Sequence, residues 1–138
     1  MRVEDICTRQ VQTIQASEPL AAAARQMRDR QVGSLIVVAP NFAGRVVGIL
    51  TDRDIVCGQI KRKADLHCLA VEDIMTPEPL SVTADTDIGE VVQVLYGMGV
   101  RRAPVVTRDG NLVGIVTLDD LVPALAQQLM TCAQLLAA

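Results

Sequence analysis

Tryptophan is absent from the 138-residue sequence, and Phe42 and Tyr96 are its only aromatic side chains. Platforms on which single-stranded nucleic acid stacks need aromatic faces, so that class of ligand is disfavoured. Basic excess is missing as well. Thirteen Lys and Arg stand against 16 Asp and Glu, a net charge of −3, which leaves no concentrated positive field to hold a duplex. No apolar run approaches the roughly 18 residues of a membrane-spanning helix, and Met1–Gln15 lacks the basic, apolar and small-residue order of a secretion signal. These absences predict a cytoplasmic protein with neither nucleic acid nor a membrane as direct partner.

Histidine and paired cysteines are scarce too. His67 is the one histidine, and Cys7, Cys57, Cys68 and Cys132 are scattered without Cys-x-x-Cys spacing. A disulfide framework is therefore not expected, and the thiols are read as reduced, in or near the core or in a connector. Cys57, His67 and Cys68 match no zinc-ligand spacing and read as core or connector residues, with a redox- or metal-responsive form that uses all three as the lesser alternative. Catalysis needs a nucleophile or an acid–base pair in defined geometry, and none of the acids or the lone His67 forms such a pattern. No active site is expected. Lys61-Arg62-Lys63 reads as the solvated C-terminal end of a helix, where cations suit the dipole.

What the chain does hold is aliphatic bulk and a repeat. Half of the residues are hydrophobic, so a core of Val, Leu, Ile, Ala and Met is available at normal packing density. Val3-Glu4-Asp5-Ile6-Cys7-Thr8 recurs as Val71-Glu72-Asp73-Ile74-Met75-Thr76, and Val32 with Val37-Val38 recurs as Val100 with Val105-Val106. Gly48-Ile49-Leu50-Thr51-Asp52-Arg53-Asp54-Ile55-Val56 aligns with Gly114-Ile115-Val116-Thr117-Leu118-Asp119-Asp120-Leu121-Val122 after a two-residue excess in the turn Pro40 to Gly44, against Arg108 to Gly110. Such self-similarity points to two copies of one supersecondary unit.

Each copy predicts the same order of elements. A short extended piece (12–15; 80–83) leads to Ser17 or Asp85 as N-cap and then to an amphipathic helix. Leu20, Ala23, Ala24 and Met27 form its apolar stripe in the first copy, and Ile88, Val91, Val92, Leu95 and Met98 in the second. Two strands follow, 35–38 and 45–50 against 103–106 and 112–116, and a helix then starts at Thr51 or Thr117. The fold class is α/β (α+β), β-α-β-β-α twice, over 1–66 and 67–138, joined by a polar connector near 61–67. The last helix runs on past Pro123, with Leu118, Leu121, Val122, Leu125, Leu129, Cys132, Ala133 and Leu136 in register to the end of the chain. That stripe exceeds what two small lobes need for their own core and predicts either a homodimer face or a helix folded back on its own chain.

Asp73-Ile74-Met75-Thr76-Pro77, Val100-Arg101-Arg102-Ala103-Pro104-Val105-Val106, and the Gly-x-x-Thr-x-x-Asp strings at Gly48/Thr51/Asp54 and Gly114/Thr117/Asp120 resemble the paired cystathionine-β-synthase-type (CBS) repeats of a Bateman module. The resemblance covers nearly the whole chain. It implies a stand-alone regulatory module with pseudo-two-fold symmetry and two inter-repeat clefts for adenosine-containing ligands such as AMP, ADP, ATP or S-adenosylmethionine, controlling a separately encoded protein. Carried over by residue, it implies one cleft built from Ile115, Thr117 and Asp120 with Val32, Gly33, Arg101 and Arg102. The other would use Ile49, Thr51 and Asp54 with Val100.

The Thr-x-x-Asp string also has a reading without any ligand, as a capping box that starts a helix. Under it, the alternative function is a ligand-independent dimerisation scaffold. The two readings are compatible, because the same geometry leaves first-turn amides at the positive end of the helix dipole, where a phosphate binds. The repeats are not equivalent in charge: Gly33 and Ser34 stand where the second copy has Arg101 and Arg102, with Arg53 as the partial substitute. Two arginines supply bidentate anchors for phosphate oxygens, so the two clefts are expected to bind unequally.

Overall fold

The computed structural model describes residues 1–40, 44–77 and 80–138. The two-residue excess between Pro40 and Gly44, together with Phe42, falls largely outside the described residues. Contacts divide the chain into two units. One comprises Gln10–Leu80 with Gly110–Leu112; the other comprises Met1–Arg9, Ser81–Asp109 and Val113–Ala138. The opening nine residues thus group with the second repeat.

In the first unit a four-stranded sheet has the order β1-β2-β3-β4, from β1 (Thr13–Gln15), β2 (Ser34–Val38), β3 (Val46–Thr51) and β4 (Thr76–Pro77). β1 runs parallel to β2, with Ile14 opposite Val37. β2 and β3 are antiparallel, with Ser34 opposite Thr51 and an irregularity at Val37/Val38. Helices α1 (Leu20–Arg30), α2 (Asp52–Arg62) and the short α3 (Val71–Ile74) accompany the sheet. Leu20, Ala23 and Met27 of α1 pack with Leu35, Val37, Leu50, Ile55 and Val71 in one buried cluster, the period-3.6 stripe meeting the sheet residues.

The connector is not a free linker. Lys63 ends α2 in the left-handed conformation, and the carbonyls of Leu66 and Leu69 accept the Ala21 and Leu20 amides at 3.2 and 2.8 Å. These bonds satisfy orphan donors of the first turn of α1. They also explain why Ser17 does not cap that helix: Pro19 is the N-cap, with no side-chain cap.

The second unit holds β5 (Val82–Thr83), β6 (Arg102–Val106) and β7 (Leu112–Thr117) in that order, with α4 (Ile88–Met98), α5 (Leu118–Ala137) and a 3₁₀ turn at Val3–Asp5. The Val3 and Glu4 amides donate to the carbonyls of Thr86 and Ala84, which anchors the start of the chain. Asp87, not Asp85, caps α4 through the Gly89 amide at 2.9 Å; Asp85 sits two residues too early and instead pairs with Arg108 at 2.9 Å. Ile88, Val91 and Leu95 are buried, whereas Met98, placed in the stripe by spacing, is exposed.

α5 continues through Pro123 for 20 residues, although proline removes one i to i−4 bond, the one to Asp119. Only Leu121 of it is buried; Val122, Leu129 and Leu136 are 60%, 72% and 90% exposed. Of the expected alternatives, the helix does not fold back over its stripe within the chain. Of the cysteines, Cys57 on α2 and Cys132 on α5 depart from the expected place in or near the core, whereas Cys68 lies by the connector. Cys57, Cys68 and Cys132 are exposed, and only Cys7 is half-buried.

Candidate functional site

Each repeat clamps the turn before its central strand to the start of its last helix. In the second unit the Leu118 amide donates to the Arg101 carbonyl at 3.1 Å; in the first, the Asp52 amide donates to the Gly33 carbonyl at 3.0 Å. Both bonds follow from the same register. The central strand pairs with the strand that leads into the helix, so its entry turn must lie over the helix N-terminus.

The side chains on these two frames differ. Arg101, Arg102, Thr117, Leu118 and Asp119 line a cavity of about 350 Å³ at the N-terminus of α5. First-turn amides and two guanidiniums there present positive charge, offset in part by Asp119. At the corresponding place in the first repeat, Gly33 offers no side chain, and a Cβ built on it would lie 3.5 Å from the Asp52 carboxylate. A shallow cavity of about 410 Å³ there is lined by Asp52, Arg53 and Val56. One frame is cationic; the other carries an acid beside a single arginine.

The Thr51 string caps its helix reciprocally, whereas the Thr117 side chain makes no cap hydrogen bond to the helix and only Asp120 reaches back to the Thr117 amide. Thr51 accepts the Asp54 amide on Oγ1 at 3.1 Å, and its own amide donates to Asp54 Oδ2 at 2.9 Å. Asp120 is used more fully. Its Oδ2 accepts the Thr117 amide at 3.0 Å and the Thr117 hydroxyl at 3.3 Å, while Oδ1 accepts the Thr8 hydroxyl at 3.3 Å.

Thr8 was not singled out by the site motifs, although the repeat pairs it with Thr76. Its amide and carbonyl exchange two 2.9 Å hydrogen bonds with Ile115. Thr76 pairs in the same way with Ile49. These crossings explain the glycines of the motif. A Cβ on Gly114 would collide with the Thr8 carbonyl oxygen, and one on Gly48 would meet Met75 Sδ at 2.5 Å and the Thr76 carbonyl oxygen at 3.0 Å. Gly48 and Gly114 are required by an edge segment passing over the strand, with no phosphate needed to account for them.

The remaining predicted residues take structural places in their own units. Val32 packs against the core of the first unit and donates its amide to Met27, and Val100 donates to Leu95. Asp54 faces a further cavity of about 270 Å³ lined by Cys57, Gly58, Lys61, Arg62, Asp73 and Ile74. Half-burial pushes the Cys7 thiol above its ordinary pKa, Asp120 and Glu4 adding to the shift while Arg9 and a backbone hydrogen bond oppose it. Among the described residues no group of three or more His, Cys, Asp or Glu is placed to hold a metal ion, and no helix is long and apolar enough to cross a membrane.

The CBS domain model matches residues 3–58 and 71–127. The chain belongs to the CBS domain family, as a tandem pair. A 17.7 kDa protein from the bps2 3′ region of Acidianus ambivalens is 36% identical over 124 residues, spanning 90% of this chain and 73% of that one. The structure of CBSX2 from Arabidopsis thaliana in complex with AMP superposes with a TM-score of 0.77 at 28% identity, over 91% of this chain and 96% of that one. A hypoxic response protein holding two coordinated zinc ions gives 0.78 at 32% identity, over 89% and 98%.

Proposed function

We propose that this chain is a regulatory module that binds an adenosine nucleotide and passes its occupancy to a separately encoded protein. AMP is the first ligand to consider, with ADP, ATP and S-adenosylmethionine as alternatives. The observation that carries this reading is the meeting of Arg101, Arg102 and Thr117 on one cavity at the N-terminus of a 20-residue helix. Phosphate oxygens accept from the guanidiniums and the first-turn amides, while the Thr117 hydroxyl stays on Asp120 and a ribose hydroxyl donates to that carboxylate. The AMP of the CBSX2 complex supports the ligand class.

In this reading the Asp120 site binds phosphorylated ligands more tightly than the Asp54 site, where Gly33 and Asp52 replace a cation and an apolar side chain. Signalling is a population shift: ligand favours whichever arrangement binds it better, by no more than its differential affinity. Titration of AMP and adenosine into the natural chain and Arg102→Ala tests the phosphate role. The natural chain is expected to prefer AMP at least ten-fold, and Arg102→Ala to lose most of that preference. Equal affinity for AMP and adenosine in the natural chain overturns it.

A second reading, a dimerisation scaffold, is favoured by α5, which exposes Val122, Leu129 and Leu136 and carries no charged residue from Leu121 onward. We propose that this face closes a homodimer, the commonest outcome for such a stripe. The scaffold alone would bind no nucleotide, which the same titration reports.

A further inference from the structure

Asp120 and Asp54 occupy equivalent positions at the starts of equivalent helices, yet their carboxylates have different capacity left for a ligand. An ionised carboxylate accepts about four hydrogen bonds, two on each oxygen. Asp54 takes one on Oδ2, from the Thr51 amide at 2.9 Å, and no other among the described residues. Asp120 takes three, two on Oδ2 from Thr117 and one on Oδ1 from the Thr8 hydroxyl.

We infer that Thr8 is a specificity-determining residue of the Asp120 site: by filling one side of Oδ1 it leaves Asp120 able to receive a single ligand hydroxyl, where Asp54 can receive both hydroxyls of a vicinal diol. The inference rests on the nucleotide-binding reading above and concerns the sugar rather than the phosphate. The 3.3 Å contact is long for a hydroxyl donor, so the energy of that bond is not the point. Occupancy of space is. The Thr8 Cβ cannot withdraw, because the backbone that carries it is fixed on both sides by the Ile115 hydrogen bonds, an approach that Gly114 alone permits, so one branch of the side chain stays beside Oδ1. A second ligand oxygen aimed at that side of Oδ1 would have to occupy the volume of the Thr8 hydroxyl.

The test measures sugar selectivity in an Asp54→Ala background, which leaves Asp120 as the only carboxylate of the pair. AMP, 2′-deoxy-AMP and 3′-deoxy-AMP are titrated calorimetrically into that chain and into versions carrying Thr8→Ala, Thr8→Val or Thr8→Ser. Alanine empties the volume beside Oδ1; valine fills it with a methyl group of the same size, and serine keeps the hydroxyl. With Thr8, one of the two deoxy analogues is expected to bind within two-fold of AMP. With Thr8→Ala, both are expected to bind about ten-fold more weakly than AMP, as each hydroxyl now has a charged acceptor. Thr8→Val and Thr8→Ser are expected to behave like threonine. If Thr8 and Thr8→Ala chains discriminate alike while AMP binds and Asp120→Ala abolishes it, the role of Thr8 is overturned and the nucleotide reading stands. If AMP binds none of the chains, that reading falls and the role of Thr8 falls with it. Should Asp54→Ala not fold, the Asp120 backbone amide followed by NMR in chains that keep Asp54 reads the same site alone.

Discussion

The Thr8 hydroxyl donates to Asp120 Oδ1 at 3.3 Å across 112 positions of sequence, joining the opening segment of the chain to the first turn of its last helix. The backbone that presents Thr8 lies against Gly114, three residues before the cap Thr117. One short crossing therefore sets both the strand edge and the surroundings of the candidate ligand carboxylate.

The crossing makes the two motif glycines unequal. Gly114→Ala drives a methyl into the Thr8 carbonyl, a backbone atom held by two hydrogen bonds, and is expected to destabilise by about 1–3 kcal/mol. Gly48→Ala first meets the flexible Met75 side chain, which can yield, and is expected to cost less. Urea denaturation of both variants checks the order.

Thiol chemistry should separate the cysteines. Cys57, Cys68 and Cys132 are exposed, whereas burial holds the Cys7 proton more tightly. Since the thiolate is the reactive form, titration with a thiol reagent at pH 8 is expected to give fast equivalents from Cys57 and Cys68 and a slow one lost in Cys7→Ser, with Cys132, on the α5 stripe, fast only where that stripe is not covered by a second copy.

The Asp85–Arg108 pair supplies a pH dependence. The hydrogen bond from Arg108, aided by Thr83, lowers the Asp85 pKa below the ordinary carboxylate range. A depressed folded pKa means stability that is present above the unfolded value of about 3.9 and lost as pH falls through the folded value. The pair is exposed and its effect small. The fall in melting temperature from pH 6 to pH 3 is expected to be slightly smaller in Asp85→Asn than in the natural chain.

The apolar stripe of α5 predicts self-association. Leu129→Glu and Leu136→Glu together place charge on residues that are 72% and 90% exposed in the single chain, so the fold should survive. Light scattering is expected to show a dimer for the natural chain and a monomer for the double variant. A natural monomer contradicts the assignment of this face.

The repeat, both pairs of central strands and the helix starts at Thr51 and Thr117 were legible because period and spacing express local geometry. The meeting of Arg101 and Arg102 with Thr117 was implied by the family resemblance rather than by spacing; the Leu118-to-Arg101 hydrogen bond joins the entry of β6 to the start of α5. Features that depend on non-local partners were not legible. Ser17 and Asp85 are good caps by type, but tertiary hydrogen bonds to Leu66 and Leu69 and the Arg108 pair decide where α1 and α4 begin. Met98 fits the helical stripe and is nonetheless exposed, because a period cannot report how wide the buried face is. Thr8 was visible only as a repeat partner of Thr76; that its hydroxyl reaches Asp120 depends on a strand crossing that no local pattern encodes.

The most direct test of the account is the melting temperature of the natural chain and of Asp120→Ala with and without AMP. At 100 times its dissociation constant a ligand stabilises the folded state by about 2.7 kcal/mol, a readily measured shift. The account predicts that AMP stabilises the natural chain and that Asp120→Ala, which loses about 1 kcal/mol from its helix cap, gains much less from AMP. A natural chain whose melting temperature is unmoved by AMP, ADP, ATP and S-adenosylmethionine would contradict it.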